Sequence, residues 1–146
     1  QLARRAGATV IGLAGDANAE WLRGHGITPV RYGDGVADRI REVAPGGVDA
    51  FIDTYGDGYV ALAIELGVAP ERIDTIADFA AVARYGVKAE GSAAGASAET
   101  LAKLAGLIAA GELDVPVAAS YPLDQVRAAF AELERGHTRG KIVLIP

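Results

Sequence analysis

Short apolar runs alternate with amphipathic stretches along this chain, and glycine or proline closes nearly every one. Gln1 to Ala6 reads as the end of a helix, with Arg4 and Arg5 near its negative terminus and Gly7 as the stop. Ala8-Thr9-Val10-Ile11-Gly12-Leu13-Ala14 is a β-branched apolar run of the kind buried on both faces of a parallel sheet, with Gly12 as a close-packing position. Asp16 or Asn18 can cap a helix through Trp21, Leu22 and Arg23, which Gly24-His25-Gly26 ends. Pro29 to Tyr32 forms a second strand. A helix over Val36 to Ala44 comes next, with Val36, Ile40 and Val43 at helical spacing, and Pro45-Gly46-Gly47 breaks it.

The alternation continues with a strand over Val48 to Thr54, a helix over Tyr59 to Leu66, a strand over Arg72 to Ala77 and a shorter one over Tyr85 to Glu90. Strands and helices at such short intervals imply right-handed crossovers and an α/β fold with a doubly wound parallel sheet. After Gly91 the character changes. Ser92 to Ala98 reads as a loop, and Ser97 can cap a helix to Ala110 with Leu101, Leu104 and Ile108 on one face and Gly111 as the stop. Val115 to Ser120 is extended, and Tyr121-Pro122 turns the chain into a helix striped by Val126, Phe130 and Leu133. Gly136 ends that helix, and Lys141 to Ile145 is a final strand.

Composition narrows the function classes. The 146 residues suffice for a real core, and a hydrophobic share of 51% with 23% charged is ordinary for a soluble domain. No apolar run reaches the length of a membrane span, and nothing at the N-terminus reads as a signal peptide. The chain has no cysteine, which excludes disulfides and thiolate metal sites and fits a reducing cytoplasm. A net charge of −5 leaves no basic stripe for nucleic acid.

Three words in this order resemble the medium-chain dehydrogenase/reductase family, of the zinc-type alcohol dehydrogenase and quinone-oxidoreductase kind. Gln1-Leu2-Ala3-Arg4-Arg5-Ala6-Gly7-Ala8 resembles the stretch directly after that family's glycine-rich phosphate turn. Asp53-Thr54-Tyr55-Gly56 resembles its Asp-x-x-Gly word after the fourth cofactor-domain strand. Thr138-Arg139-Gly140-Lys141-Ile142-Val143-Leu144 resembles its closing strand. The resemblance implies a partial Rossmann-like domain over residues 1–91, without the first strand and glycine-rich turn. Residues 92–146 would be the return segment of the GroES-like substrate domain. Since the first strand normally lies central in the order 3-2-1-4-5-6, a break is expected between the strands at Thr9 and Ala50, leaving the faces of Val10 and Ile52 bare.

The same resemblance assigns cofactor contacts. At the end of the second family strand, where an NAD-preferring domain carries a carboxylate, this chain has Ala14 and Gly15, which favours NADP(H), with NAD possible; the lysine that many quinone-oxidoreductase relatives place a few residues later would fall near Ala19. Asp16 can contact ribose or cap a helix. Tyr32 matches a tyrosine packed on the adenosine phosphate, or is a surface residue. Tyr55 and Gly56, and Ile76, Ala77 and Asp78, occupy strand ends where ligands sit in open sheets, and Asp78 can equally be a helix cap. Arg139 and Lys141 would lie near the cofactor phosphates, or are solvated charges at a strand start. His25 and His137, at helix ends, lack metal-ligand spacing, so no catalytic residue is assigned within the chain.

The reading implied is a fragment of an NADP(H)-dependent oxidoreductase of the quinone-oxidoreductase type, inactive alone, moving hydride between nicotinamide and a quinone, enone or carbonyl. The alternatives are a zinc-dependent alcohol dehydrogenase, an enoyl reductase module, or a non-enzymatic nucleotide-sensing or dimerisation module. The expected partners are the nicotinamide dinucleotide, a small-molecule substrate and a second copy paired through the strand at Tyr85 to Glu90. Its unpaired edge would otherwise leave backbone groups open.

Overall fold

The computed structural model describes residues 1–91, 95–136 and 138–146; Ser92, Ala93 and Ala94 of the expected loop, and His137, lie outside the described residues. The chain divides into two compact units, Ala3–Leu101 and Gln1–Leu2 with Ala102–Pro146. The larger unit alternates as the pattern predicts. Helix α1 (Leu2–Arg5) precedes β1 (Ile11–Ala14), α2 (Ala19–Gly24), β2 (Thr28–Arg31), α3 (Val36–Val43), β3 (Phe51–Asp53), α4 (Tyr59–Glu65), β4 (Ile73–Thr75) and α5 (Phe79–Tyr85). Helix α6 (Ala98–Ala109) comes after these, with Ser97 Oγ accepting from the Thr100 amide at 3.0 Å as an N-cap should.

The strands pair in parallel, β1 with β2 and β3 with β4, and among the described residues no ladder joins β1 to β3. The expected break is therefore present, and Ile52 beside it is 71% exposed. Gly12 is confirmed as a close-packing position. A Cβ there would come within 3.1 Å of both Ile27 and Leu22, so its absence lets α2 settle on β1.

The core belongs to the β3–β4 pair. Val60 and Ala63 of α4 and Ala81 of α5 close over Ile73, with Val68 and Val87 completing the cluster. Ile73 and Val60 are fully buried, each worth about 1.5–3 kcal/mol of transfer free energy.

Several sequence expectations need correction. Tyr85 is the last residue of α5, and beyond it a single parallel bridge, Asp74 to Lys88, stands in place of a strand over Tyr85 to Glu90. Gly86 at φ 69° closes α5, and of the described residues beyond it only Lys88 pairs with β4. Neither Asp16 nor Asn18 caps α2 through its side chain, because Asp16–Asn18 is a turn of 3₁₀ helix leading into it.

In the smaller unit, β5 (Val117–Pro122) pairs in parallel with β6 (Lys141–Ile145), and α7 (Val126–Glu134) connects them. Strand β5 runs through Tyr121 and Pro122, where a turn was expected. Tyr121 remains in register with Leu144, and its hydroxyl donates to Glu132 of α7. The predicted stripe of α7 is also revised. Phe130 and Leu133 are exposed, and Ala129 is the buried residue. Leu101 and Ile108 of α6 are exposed too.

Candidate functional site

Two clusters form at the carboxyl ends of the strand pairs, the edge at which open parallel sheets bind ligands. The first lies beyond β1 and β2. Ala14 and Arg31 are register partners, so the chain leaving β1 at Gly15 and Asp16 runs beside the chain leaving β2 at Tyr32. A Cβ on Gly15 would stand 3.3 Å from the Tyr32 hydroxyl, which shows how closely the two meet. Arg31 Nη1 lies 3.8 Å from Asp16 Oδ2, with both side chains largely in solvent. Asp16 thus stands beside Arg31 and makes no capping hydrogen bond to α2.

A cation that the sequence reading missed shapes this cluster. Arg39 of α3 donates to four successive carbonyls: Arg31 O at 2.8 and 3.0 Å, Tyr32 O at 3.3 Å, Gly33 O at 3.2 Å and Asp34 O at 2.7 Å. Beyond the loop lies a shallow cleft of about 250 Å³ lined by Gly33, Val36, Asp57, Gly58, Tyr59 and Leu62. The Tyr59 phenol is pushed above its ordinary value, by burial first and then by Tyr55, Asp57 and Tyr32. Tyr55 meets Tyr59 edge-on at 6.0 Å.

The second cluster joins β3 to β4. Asp53 and Thr75 are register partners and almost wholly buried. Asp53 Oδ1 accepts from the amides of Tyr55 at 3.0 Å and Gly56 at 2.8 Å, and Oδ2 accepts from Thr75 Oγ1 at 2.6 Å. Thr75 Oγ1 in turn accepts from the amides of Ala77 at 3.2 Å and Asp78 at 2.9 Å. Burial alone would raise the Asp53 pKa, but hydrogen bonds from Thr75, Gly56 and Tyr55 together outweigh it and hold the carboxyl below its ordinary range. The loop after Asp53 needs that hold. Gly56, Asp57 and Gly58 all have positive φ, at 86°, 52° and 84°, a conformation that costs a residue with a Cβ such as Asp57.

The structure thus brings Gly15, Asp16 and Tyr32 together, and separately Tyr55, Gly56, Ala77 and Asp78. Tyr55 is 74% exposed and Ile76 50% exposed, so two apolar side chains stand open at this edge. Asp78 takes the capping alternative, its Oδ1 accepting from the Ala81 amide at 3.0 Å. Arg139 and Lys141 belong to the smaller unit, where the Lys141 amide donates to Pro116 O at 2.8 Å. His25 Nδ1 lies 2.9 Å from the Trp21 carbonyl, and the Trp21 and His25 rings meet at 4.3 Å, tilted by 43°.

The family model described as zinc-binding dehydrogenase matches residues 28–144. The chain belongs to the zinc-binding dehydrogenase family. Members are NAD(P)-dependent oxidoreductases of the medium-chain dehydrogenase/reductase type. The zinc-binding dehydrogenase fold is equally plain in solved structures. An NAD-dependent alcohol dehydrogenase superposes with a TM-score of 0.76 at 23% identity, over 99% of this chain and 46% of its own. A quinone oxidoreductase from Pseudomonas syringae pv. Tomato DC3000 gives 0.75 at 23%, over 99% and 51%. The CurK enoyl reductase gives 0.73 at 19%, over 99% and 49%. The chain therefore spans about half the length of the solved structures it matches. No curated protein matches it in sequence.

The family name raises the question of zinc. Among the described residues no three His, Asp or Glu side chains converge, and the sequence has no cysteine. These donors do not fit a zinc ion, so no step is assigned to one.

Proposed function

We propose that this chain is the C-terminal part of an NADP(H)-dependent oxidoreductase acting on a quinone, enone or carbonyl. In this reading residues 1–91 serve the cofactor and residues 92–146 complete the substrate domain. The observation that carries it is the meeting of β1 and β2. The position across the ladder from Ala14 is Arg31, and in this reading it supplies the cation that the sequence lacks near Ala19. Without a carboxylate at Ala14 and with a guanidinium opposite, this edge suits a 2′-phosphate better than a bare ribose diol. Asp16 lies beside Arg31 at this edge, and Arg39 holds the carbonyls of the Tyr32 loop.

At the other pair, Tyr55, Gly56, Ile76, Ala77 and Asp78 would present main-chain groups and apolar surface to the nicotinamide end. When bound, the cofactor supplies hydride; the chain's part is to position it and exclude water, which suffices for a conjugated acceptor. Arg139 and Lys141 are assigned to the phosphates, and the backbone beside Lys88 to pairing with a second copy. Sedimentation of the full-length protein checks that pairing.

Steady-state kinetics on the full-length protein tests the cofactor reading. NADPH is expected to outperform NADH in kcat/KM. Ala14→Asp is expected to reverse the order, because the new carboxylate would face Arg31 across the ladder and repel the phosphate. A wild-type preference for NADH sinks the reading. The isolated chain is expected to turn over no quinone, and calorimetric titration with NADPH should show no micromolar binding.

A further inference from the structure

We infer that Asp53 and Thr75 form a buried positioning pair that sets, before any nucleotide arrives, the two loops through which this chain would meet the nicotinamide end of its cofactor. The inference rests on the proposed function above and adds to it residues that themselves touch no ligand.

Hydrogen-bond inventory makes the pair directional. A threonine hydroxyl has one proton and two acceptor sites. Both acceptor sites of Thr75 are taken by the amides of Ala77 and Asp78, so its proton must go to Asp53 Oδ2. The other carboxylate oxygen is filled by the Tyr55 and Gly56 amides. Four loop amides, two from each loop, are thereby referred to two side chains on neighbouring strands. The backbone tightens the tie, with the Ile76 amide donating to Asp53 O at 3.0 Å. The loops also lie against one another, since a Cβ on Gly56 would stand 3.5 Å from that of Ala77.

Asp53 is the residue this arrangement demands, and asparagine cannot replace it. In one orientation the Asn amide nitrogen would face the Thr75 oxygen, already saturated with donors. In the other it would face two amides. Thr75 tolerates serine, which keeps the hydroxyl, but not valine, which keeps only the shape.

The loops would otherwise wander. One passes through Asp57 at φ 52° between two glycines, and strain at a residue with a Cβ persists only where its surroundings over-determine it. Pre-ordering removes a cost that binding would otherwise bear, so loosening the pair should weaken nucleotide binding more than it slows turnover at saturation.

The test uses the full-length protein. Amide hydrogen exchange on the wild type without nucleotide should show Tyr55, Gly56, Ala77 and Asp78 protected to the level of β3 and β4. If these four amides exchange freely until NADPH is added, the pair does not pre-set the loops and the inference is overturned. Thr75→Val should raise the KM for NADPH about tenfold with kcat changed less than about twofold, and Thr75→Ser should restore KM to near wild type. Ile73→Val, in the same strand but outside the network, controls for general loosening and should leave KM unchanged. An equal rise in Ile73→Val, or no rise in Thr75→Val, also overturns it. Failure of the wild type to bind either nucleotide would defeat the proposed function instead, while the exchange measurement still decides the pre-ordering.

Discussion

At the ends of β3 and β4 one polar side chain from each strand, Asp53 and Thr75, is buried and fully hydrogen-bonded, while at the ends of β1 and β2 Asp16 and Arg31 stand in solvent. Asp53 is 2% exposed and Thr75 0%, and they share five hydrogen bonds with their loops and each other. Asp16 and Arg31 face each other at 3.8 Å with most of both side chains in water. The apolar packing divides the same way, with the main core around Ile73. One pair is built as a fixed frame. The other offers charge that a ligand can recruit at little cost to stability, since exposed ion pairs contribute only about 0–1 kcal/mol.

The largest effect should come from cutting into the frame. Ile73→Ala removes a fully buried side chain packed beneath α4 and α5, and roughly 2–5 kcal/mol should be lost in urea unfolding. A loss below about 1 kcal/mol would mean the two pairs are not so differently built. Thr75→Val comes next. It leaves Asp53 Oδ2 and two amides without partners, which should cost about 1–3 kcal/mol in the same assay.

The pH dependence sharpens the contrast. The Asp53 pKa is lowered on folding from an ordinary value of 3.8. Its contribution to stability is therefore complete at neutral pH, above the unfolded value, and drains away as pH falls from there through the lower folded value. Unfolding free energy should decline along that acid limb, and Asp53→Asn should flatten it. The smallest stability effect belongs to the open pair. Arg31→Ala should change unfolding free energy by under about 0.5 kcal/mol yet erode the NADPH over NADH preference, most visibly at low salt. A large stability loss there, or an unchanged cofactor ratio, would break the comparison.

Much of this was legible in the residues. The β-branched run ending at Ala14, the Ser97 cap, Gly12 as a contact point and the closing strand Lys141–Ile145 all come from local patterns. The break between β1 and β3 has a different source: it follows from the family resemblance and the central place of the missing first strand, and no local pattern carries it. The features that escaped depend on partners far along the chain. Arg31 becomes interesting only once the ladder sets it opposite Ala14, and Arg39 only once α3 turns back over the loop. Asp53 carried a signal in its spacing to Gly56, but Thr75 carried none, because a strand-end hydroxyl is informative only beside its acceptor. The strand expected over Tyr85 to Glu90 was reduced to one bridge, since α5 takes Tyr85, Gly86 turns the chain at positive φ, and only Lys88 pairs with β4. On α7, a regular apolar spacing at Phe130 and Leu133 did not translate into burial.

The grip of Arg39 on four carbonyls has a consequence for how this protein can change. A loop usually owes its shape to its own letters, so altering what it displays also alters how it folds. Here the path from Arg31 to Asp34, which turns at Gly33 with φ 91°, is held by a side chain outside it that donates to backbone oxygens. At Arg31 and Tyr32 the letter is therefore separable from the shape, and either can be rewritten with Gly33 and Arg39 kept. A library randomised at those two positions, with Arg39 untouched, is the natural starting material for redirecting which nucleotide a protein built on this chain accepts.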